Sequence, residues 1–126
     1  MVRHHTPSLS FEVFPPNPAV GNDKIFQALR EMQDLAPHFI SVTASNNKFD
    51  IEETTVRLTE FIANDLKIPT IAHLPAVYLT KDMVSNILQS LDRVGVHQIL
   101  ALRGDIFPDV APKDDFTFAT DLIEYI

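Results

Sequence analysis

The sequence contains no cysteine, which removes disulfide bridges, thiolate metal sites and cysteine nucleophiles from consideration and is compatible with a reducing compartment. Its only glycines are Gly21, Gly95 and Gly104, too dispersed to form the Gly-rich phosphate loop of a dinucleotide-binding fold. No apolar run approaches the roughly 18 residues that a membrane helix needs, and the first residues lack the apolar core of a signal peptide. These absences predict a soluble cytoplasmic protein. Basic residues are also scarce, 10 Lys and Arg against 17 Asp and Glu, giving a formal net charge of −7. They are scattered singly, with no basic aromatic stripe, and such a surface repels a phosphate backbone; nucleic acid is not an expected partner.

What is present is a repeat. Strand-like cores occur at Ser10 to Phe14, Phe39 to Thr43, Thr70 to Leu74 and Ile99 to Arg103, and their starts differ by 29, 31 and 29 residues. Helical patterns of period 3.6 lie between them, the layout of βαβ units feeding a parallel sheet. The first helix begins near Asn22 or Asp23, places Ile25, Leu29, Met32 and Leu35 on one face and ends before Pro37. The second opens with Asp50 followed by Glu53, a capping-box-like start, and continues with Ile51, Thr55, Leu58 and Ile62 at helical spacing. The third has Thr80 as N-cap, a buried face of Val84, Ile87, Leu88, Leu91 and Val94, and Gly95 as left-handed C-cap. Gly104 to Asp115 is irregular, and Phe116 to Ile126 resumes a helical pattern.

This pattern predicts that residues 1–126 form a single partial domain of α/β class: the first four βα units of a (β/α)8 TIM barrel, a fold that typically takes about 250 residues. The last helical pattern reaches the C-terminus without a stop signal, which points to truncation and to two unpaired sheet edges. A doubly wound open sheet is the alternative, weakened by the missing Gly-rich loop.

In parallel βα folds ligands gather at the carboxyl ends of the strands. Leu9, Phe11 and Val13 share one parity and suit the helix side, leaving Ser10 and Glu12 facing inward. A carboxyl enclosed by Phe11, Val13, Phe14 and Pro15 is expected to have a raised pKa and to serve as a proton donor; the alternative is a structural Glu paired with a basic residue outside this chain. Thr43 shares the parity of Ser41 and either bonds a ligand or caps its turn. His73 is either a ligand-facing imidazole or a satisfied core residue. No metal site is expected: His4 and His5 lie at the terminus, and His38 and His97 at strand entrances. Arg103-Gly104-Asp105 combines a permissive backbone with opposite charges; as an adhesion tripeptide it is discounted, because it emerges from a buried strand. Glu52-Glu53 and Asp114-Asp115 read as solvated helix starts.

Five segments then resemble one family in order. Ser10 to Pro16 resembles the SFEFFPP opening of methylenetetrahydrofolate reductases, Ser41-Val42-Thr43 their SVT, Ala72-His73-Leu74 their AHL, Leu102 to Asp105 their LRGD, and Phe118 to Leu122 the YASDL of their fourth helix. The resemblance implies a barrel enzyme that binds FAD, takes electrons from NADH or NADPH and reduces 5,10-methylenetetrahydrofolate to 5-methyltetrahydrofolate. It implies that Glu12 is the general acid, that Thr43, His73, Arg103, Gly104, Asp105 and Ala119 contact FAD, and that Asp105 lies beside the reactive ring and also touches the folate. After Thr43 the family continues YGAGGS, replaced here by Ala44-Ser45-Asn46-Asn47-Lys48, and its Thr-Cys after Leu74 is replaced by Pro75-Ala76; both changes fall on active-face loops. Because half the strands are expected to be missing, residues 1–126 alone are expected to bind FAD weakly or not at all. Two alternatives remain: a half-barrel that serves only as a binding or self-association module, the latter giving a homo-oligomer, and a flavin-free barrel enzyme of one-carbon chemistry.

Overall fold

The computed structural model describes residues 5–44 and 50–126; His4 and the departure at Ser45 to Lys48 lie outside them. Four strands, β1 (Ser10–Val13), β2 (Phe39–Val42), β3 (Thr70–Pro75) and β4 (Gln98–Leu102), form one parallel sheet in the order β1-β2-β3-β4. Each lies within one residue of its sequence-predicted core. Register is continuous: Glu12 pairs with Ser41, Ser41 with Ile71, and Ile71 with Gln98. Each strand sits beside its predecessor, and the four contain no reversal of order of the kind a doubly wound sheet needs at its switch point.

The connections are helical. Helix α1 (Asp23–Gln33) leaves Leu35 exposed beyond its end, although the periodicity put Leu35 on the buried face. Ala36 at φ 49° turns the chain just before Pro37. In α2 an α-helical turn at Arg57–Glu60 is flanked by wider π-helical turns at Glu52–Val56 and Phe61–Asp65. Asp50 starts it by accepting the Glu52 amide at 2.8 Å. Thr54, Thr55 and Thr59 are buried there because each hydroxyl reaches a carbonyl: those of Asp50, Thr43 and Val56 at 2.9, 3.0 and 2.7 Å.

Helix α3 (Lys81–Arg93) follows the sequence reading closely. Thr80 Oγ1 accepts the Met83 amide at 3.2 Å, Val84, Ile87 and Leu91 are buried, and Gly95 has φ +79°. Helix α4 (Ala119–Tyr125) starts three residues later than the Phe116 pattern suggested, because the Asp121 carboxylate accepts the amides of Thr117 and Phe118 at 3.0 and 2.8 Å and ends the irregular segment there.

Strand parity sorts the sheet into two faces. Val13, Ile40 and Val42 pack with Leu29 of α1 and Leu58, Phe61 and Ile62 of the α2 segment. Ala72 and Leu74 pack with Val84, Ile87 and Leu91 of α3 and Leu122 of α4. Each large side chain fully withdrawn from water in this way contributes about 1.5–3 kcal/mol. The opposite parity, Glu12, Ser41, Ile71, His73, Gln98 and Leu100, lines a depression of about 520 Å³ on the helix-free face. Among the described residues no helix is long and apolar enough to cross a membrane.

Candidate active site

Glu12 and His73 meet on the helix-free face. Glu12 is the third residue of β1, and His73 stands two strands away; the two side chains span β2 because Ser41, between them, is small. Glu12 Oε1 lies 3.5 Å from His73 Nε2, with the imidazole 6% and the carboxylate 53% exposed. The enclosure expected for Glu12 is therefore absent. Alternation points Phe11 and Val13 to the other face, and Phe14 is itself largely exposed, so none of them shields the carboxyl.

His73 is the buried partner. Burial disfavours its charged form and lowers its pKa below 6.5, while the charge of Glu12 raises it and offsets part of the effect. The imidazole is thus held toward its neutral form. At 3.5 Å the contact with Glu12 is too long for a good hydrogen bond, and Nε2 has no other partner among the described residues. Thr43, one position past the last β2–β3 register pair Val42–Ala72, presents a second such atom: its Oγ1 is buried with no hydrogen-bond partner among the described residues. Its backbone is fixed on both sides, its amide donating to Val13 O at 3.0 Å and its carbonyl accepting from Thr55. Two buried polar atoms without partners are costly in a finished core, and their presence toward the carboxyl ends of neighbouring strands suits a site that a polar ligand completes.

Arg103, Gly104 and Asp105 follow β4 directly. Gly104 has φ +91°, and a Cβ there would come within 3.0 Å of Pro75 Cβ and 3.1 Å of Val77 Cγ2, so the residue is glycine for both conformation and space. The Val77 amide donates to Arg103 O at 2.9 Å. The Tyr78 hydroxyl donates to Asp105 O at 2.6 Å and accepts the Phe107 amide at 3.0 Å. Arg103 and Asp105 are exposed, and Arg103 Nε donates to the neighbouring Gly104 O at 3.2 Å. Arg103 shares a second depression with Val77, Lys113, Thr117 and Phe118, which brings it to the start of α4, where Ala119 is the first helical residue. No hydrogen bond or ion pair joins Glu12 or His73 to Arg103, Asp105 or Ala119 among the described residues; they form two neighbouring groups along the strand ends.

Some contributors carried no sequence signal. Tyr78 lies in an apolar stretch without periodicity, and its partners are 27 and 29 residues away. Asp115, read as a solvated helix start, instead accepts the Lys81 amide at 2.8 Å and so supports the first turn of α3. The histidines at the strand entrances stay there: His38 Nδ1 accepts the Leu9 amide at 3.3 Å, and His97 stands 3.4 Å from Asp92 with both side chains exposed.

The family described as methylenetetrahydrofolate reductase matches residues 1–126. The chain is 32% identical over 120 residues to the 5,10-methylenetetrahydrofolate reductase of Buchnera aphidicola subsp. Baizongia pistaciae, covering 94% of this chain and 40% of that protein. It is 29% identical over 125 residues to the probable methylenetetrahydrofolate reductase (NADH) of Oryza sativa subsp. japonica, covering 93% of this chain and 20% of that protein. To the 5,10-methylenetetrahydrofolate reductase of Escherichia coli it is 27% identical over 116 residues, 92% of this chain and 38% of that protein. The chain thus spans 40% or less of the length of these relatives. With the whole chain matched and the parallel βα repeat in place, this protein belongs to the methylenetetrahydrofolate reductase family.

Proposed function

We propose that residues 1–126 are the first half of a (β/α)8 barrel whose complete form reduces 5,10-methylenetetrahydrofolate to 5-methyltetrahydrofolate, with FAD as cofactor, NADH or NADPH as electron donor and Glu12 as general acid. The observation that carries this reading is the Glu12–His73 pair on the helix-free face, with an accessible carboxyl against a buried imidazole held toward its neutral form.

The residues present fit FAD in two respects. The unpartnered Thr43 Oγ1 and His73 Nε2 offer hydrogen bonds to a polar ligand, and the Gly104 turn, at φ +91°, directly follows the end of β4. Thr43, His73, Arg103, Gly104, Asp105 and Ala119 are the residues that would hold it. When bound, FAD supplies the hydride that the folate receives. The chain's own part is acid catalysis and positioning. Glu12 Oε1 delivers a proton to the folate, opening its five-membered ring to the electron-poor form that accepts hydride. A neutral His73 leaves that proton unlocked by an ion pair while steering the carboxyl across β2. Asp105, exposed next to Gly104, would bear on the bound ring system through its charge.

The test is Glu12→Gln in the complete protein. Reduction of the flavin by NADH or NADPH is expected to persist while reduction of methylenetetrahydrofolate is lost, by roughly 100-fold or more for a general acid. Equal loss of both half-reactions makes Glu12 structural and ends the proposal. Residues 1–126 alone, purified and mixed with FAD, are expected to stay colourless through gel filtration; retained visible flavin absorbance would mean that half the strands suffice.

A further inference from the structure

We infer that Tyr78 is a positioning residue for the active face, its single hydroxyl setting the backbone that carries Asp105; this rests on the reading of the Arg103-Gly104-Asp105 segment as part of the cofactor site. Tyr78 sits in the 3-10 turn that follows β3 (Ala76–Tyr78) and is buried. Its O–H donates to Asp105 O at 2.6 Å while the same oxygen accepts the Phe107 N–H at 3.0 Å. One atom therefore holds the chain on both sides of Ile106, defining the plane and direction of the peptides that follow Asp105.

Two further constraints act from the same turn. The Val77 amide holds Arg103 O at 2.9 Å, and Pro75 and Val77 leave no space for a side chain at Gly104. Residues 103–107 are thus a loop with no regular structure whose backbone is gripped at three points by the end of β3. The Asp105 side chain takes no part in that grip and remains exposed. A loop held this closely through its backbone, with its one carboxylate left free, is arranged to present that carboxylate in a fixed direction. The Tyr78 ring also stacks on Phe107, with centroids 6.3 Å apart and planes 19° apart, so ring packing and hydrogen bonding are separable by mutation.

Tyr78→Phe keeps the ring and deletes only the hydroxyl. In residues 1–126 the variant is expected to fold with α3 protected as before while hydrogen exchange at the Phe107 amide accelerates roughly 10-fold, the loss expected for one or two ordinary hydrogen bonds. Unchanged exchange at Phe107 overturns the tether itself. In the complete protein, FAD affinity is expected to fall roughly 10-fold and the bound flavin's absorbance and midpoint potential to shift, because the Asp105 charge moves relative to the ring. A faster-exchanging loop with an unaltered flavin spectrum, potential and affinity overturns the positioning role and leaves Tyr78 as packing. If the unmutated complete protein binds no flavin, the functional reading above fails and the positioning role falls with it, whereas the exchange measurement still decides the tether.

Discussion

The two faces of the sheet are made from the same strands, one residue apart, and they differ in nearly every physical property. On the helix side Ile40, Val42, Ala72 and Leu74 are fully buried and apolar. On the other, Glu12, Ser41 and His73 are polar, and Leu100 and Leu102 are 44% and 37% exposed. Stability is concentrated on the first face because covering helices withdraw it from water. The second keeps a half-exposed Glu12 carboxyl beside a buried His73 Nε2 that has no hydrogen-bond partner among the described residues, and it is the face where the proposed function puts the chemistry. An active site needs groups that a well-folded core would neutralise or pair, and alternation along a strand lets four short segments supply both kinds of surface.

The sharpest way to break this comparison is to shorten one leucine on each face. Leu74→Ala removes a fully buried side chain among Val84, Ile87 and Leu91 and is expected to cost about 2–5 kcal/mol, enough to unfold a marginal chain. Leu100→Ala, on the uncovered face, is expected to cost less than about 1 kcal/mol. Urea denaturation of both variants measures the difference. Comparable losses would mean that the second face is covered in solution, by a second copy or another chain.

A smaller effect separates two glycines of similar backbone. Gly104 and Gly21 both have positive φ, +91° and +79°, but a Cβ at Gly21 meets nothing within 4 Å, whereas at Gly104 it meets Pro75 and Val77. Gly21→Ala is expected to cost about 1 kcal/mol for conformation alone. Gly104→Ala adds displacement of the β3 turn and is expected to cost on the order of 2–3 kcal/mol in thermal stability. Equal costs would show that the loop after β4 yields freely, contrary to its three backbone contacts.

The strands and α3 were legible in the sequence because their signals are local: alternating or continuous apolar runs, Thr80 ahead of a 3.6-residue period, and Gly95 after it. The side of the sheet that Glu12 faces was legible for the same reason, since parity is a property of the strand. Its exposure was not, because enclosure depends on what covers a face, and sequence neighbours of opposite parity cannot do so. Leu35 failed similarly: its spacing continued a helix that had already ended at Gln33. The grip of Tyr78 on Asp105 and Phe107, and of Thr55 on the Thr43 carbonyl, joins residues brought together only by the stacking of successive βα units, and hydroxyl-to-backbone bonds leave no periodic trace. The resemblance assigned Thr43, His73 and Gly104 to cofactor contact where local reasoning left Thr43 and His73 open, but why Gly104 admits no side chain became visible only with Pro75 and Val77 beside it.

The smallest expected effect concerns His73, a titrating group buried on the helix-free face. Because the folded state holds the His73 pKa below 6.5, the unfolded chain binds its proton first as pH falls, so folding stability from this group is full above about pH 6.5 and is lost as pH drops toward the lower folded value. Glu12 opposes the shift across 3.5 Å, and Glu12→Gln removes that opposition. The His73 imidazole, followed by its ring-proton chemical shift, is therefore expected to titrate at lower pH in Glu12→Gln than in the unaltered chain, and the acid loss of stability to extend further downward. The displacement should shrink with added salt, since the carboxylate is half exposed and its field is screened. An unmoved titration midpoint would mean that the two side chains are neighbours without charge coupling.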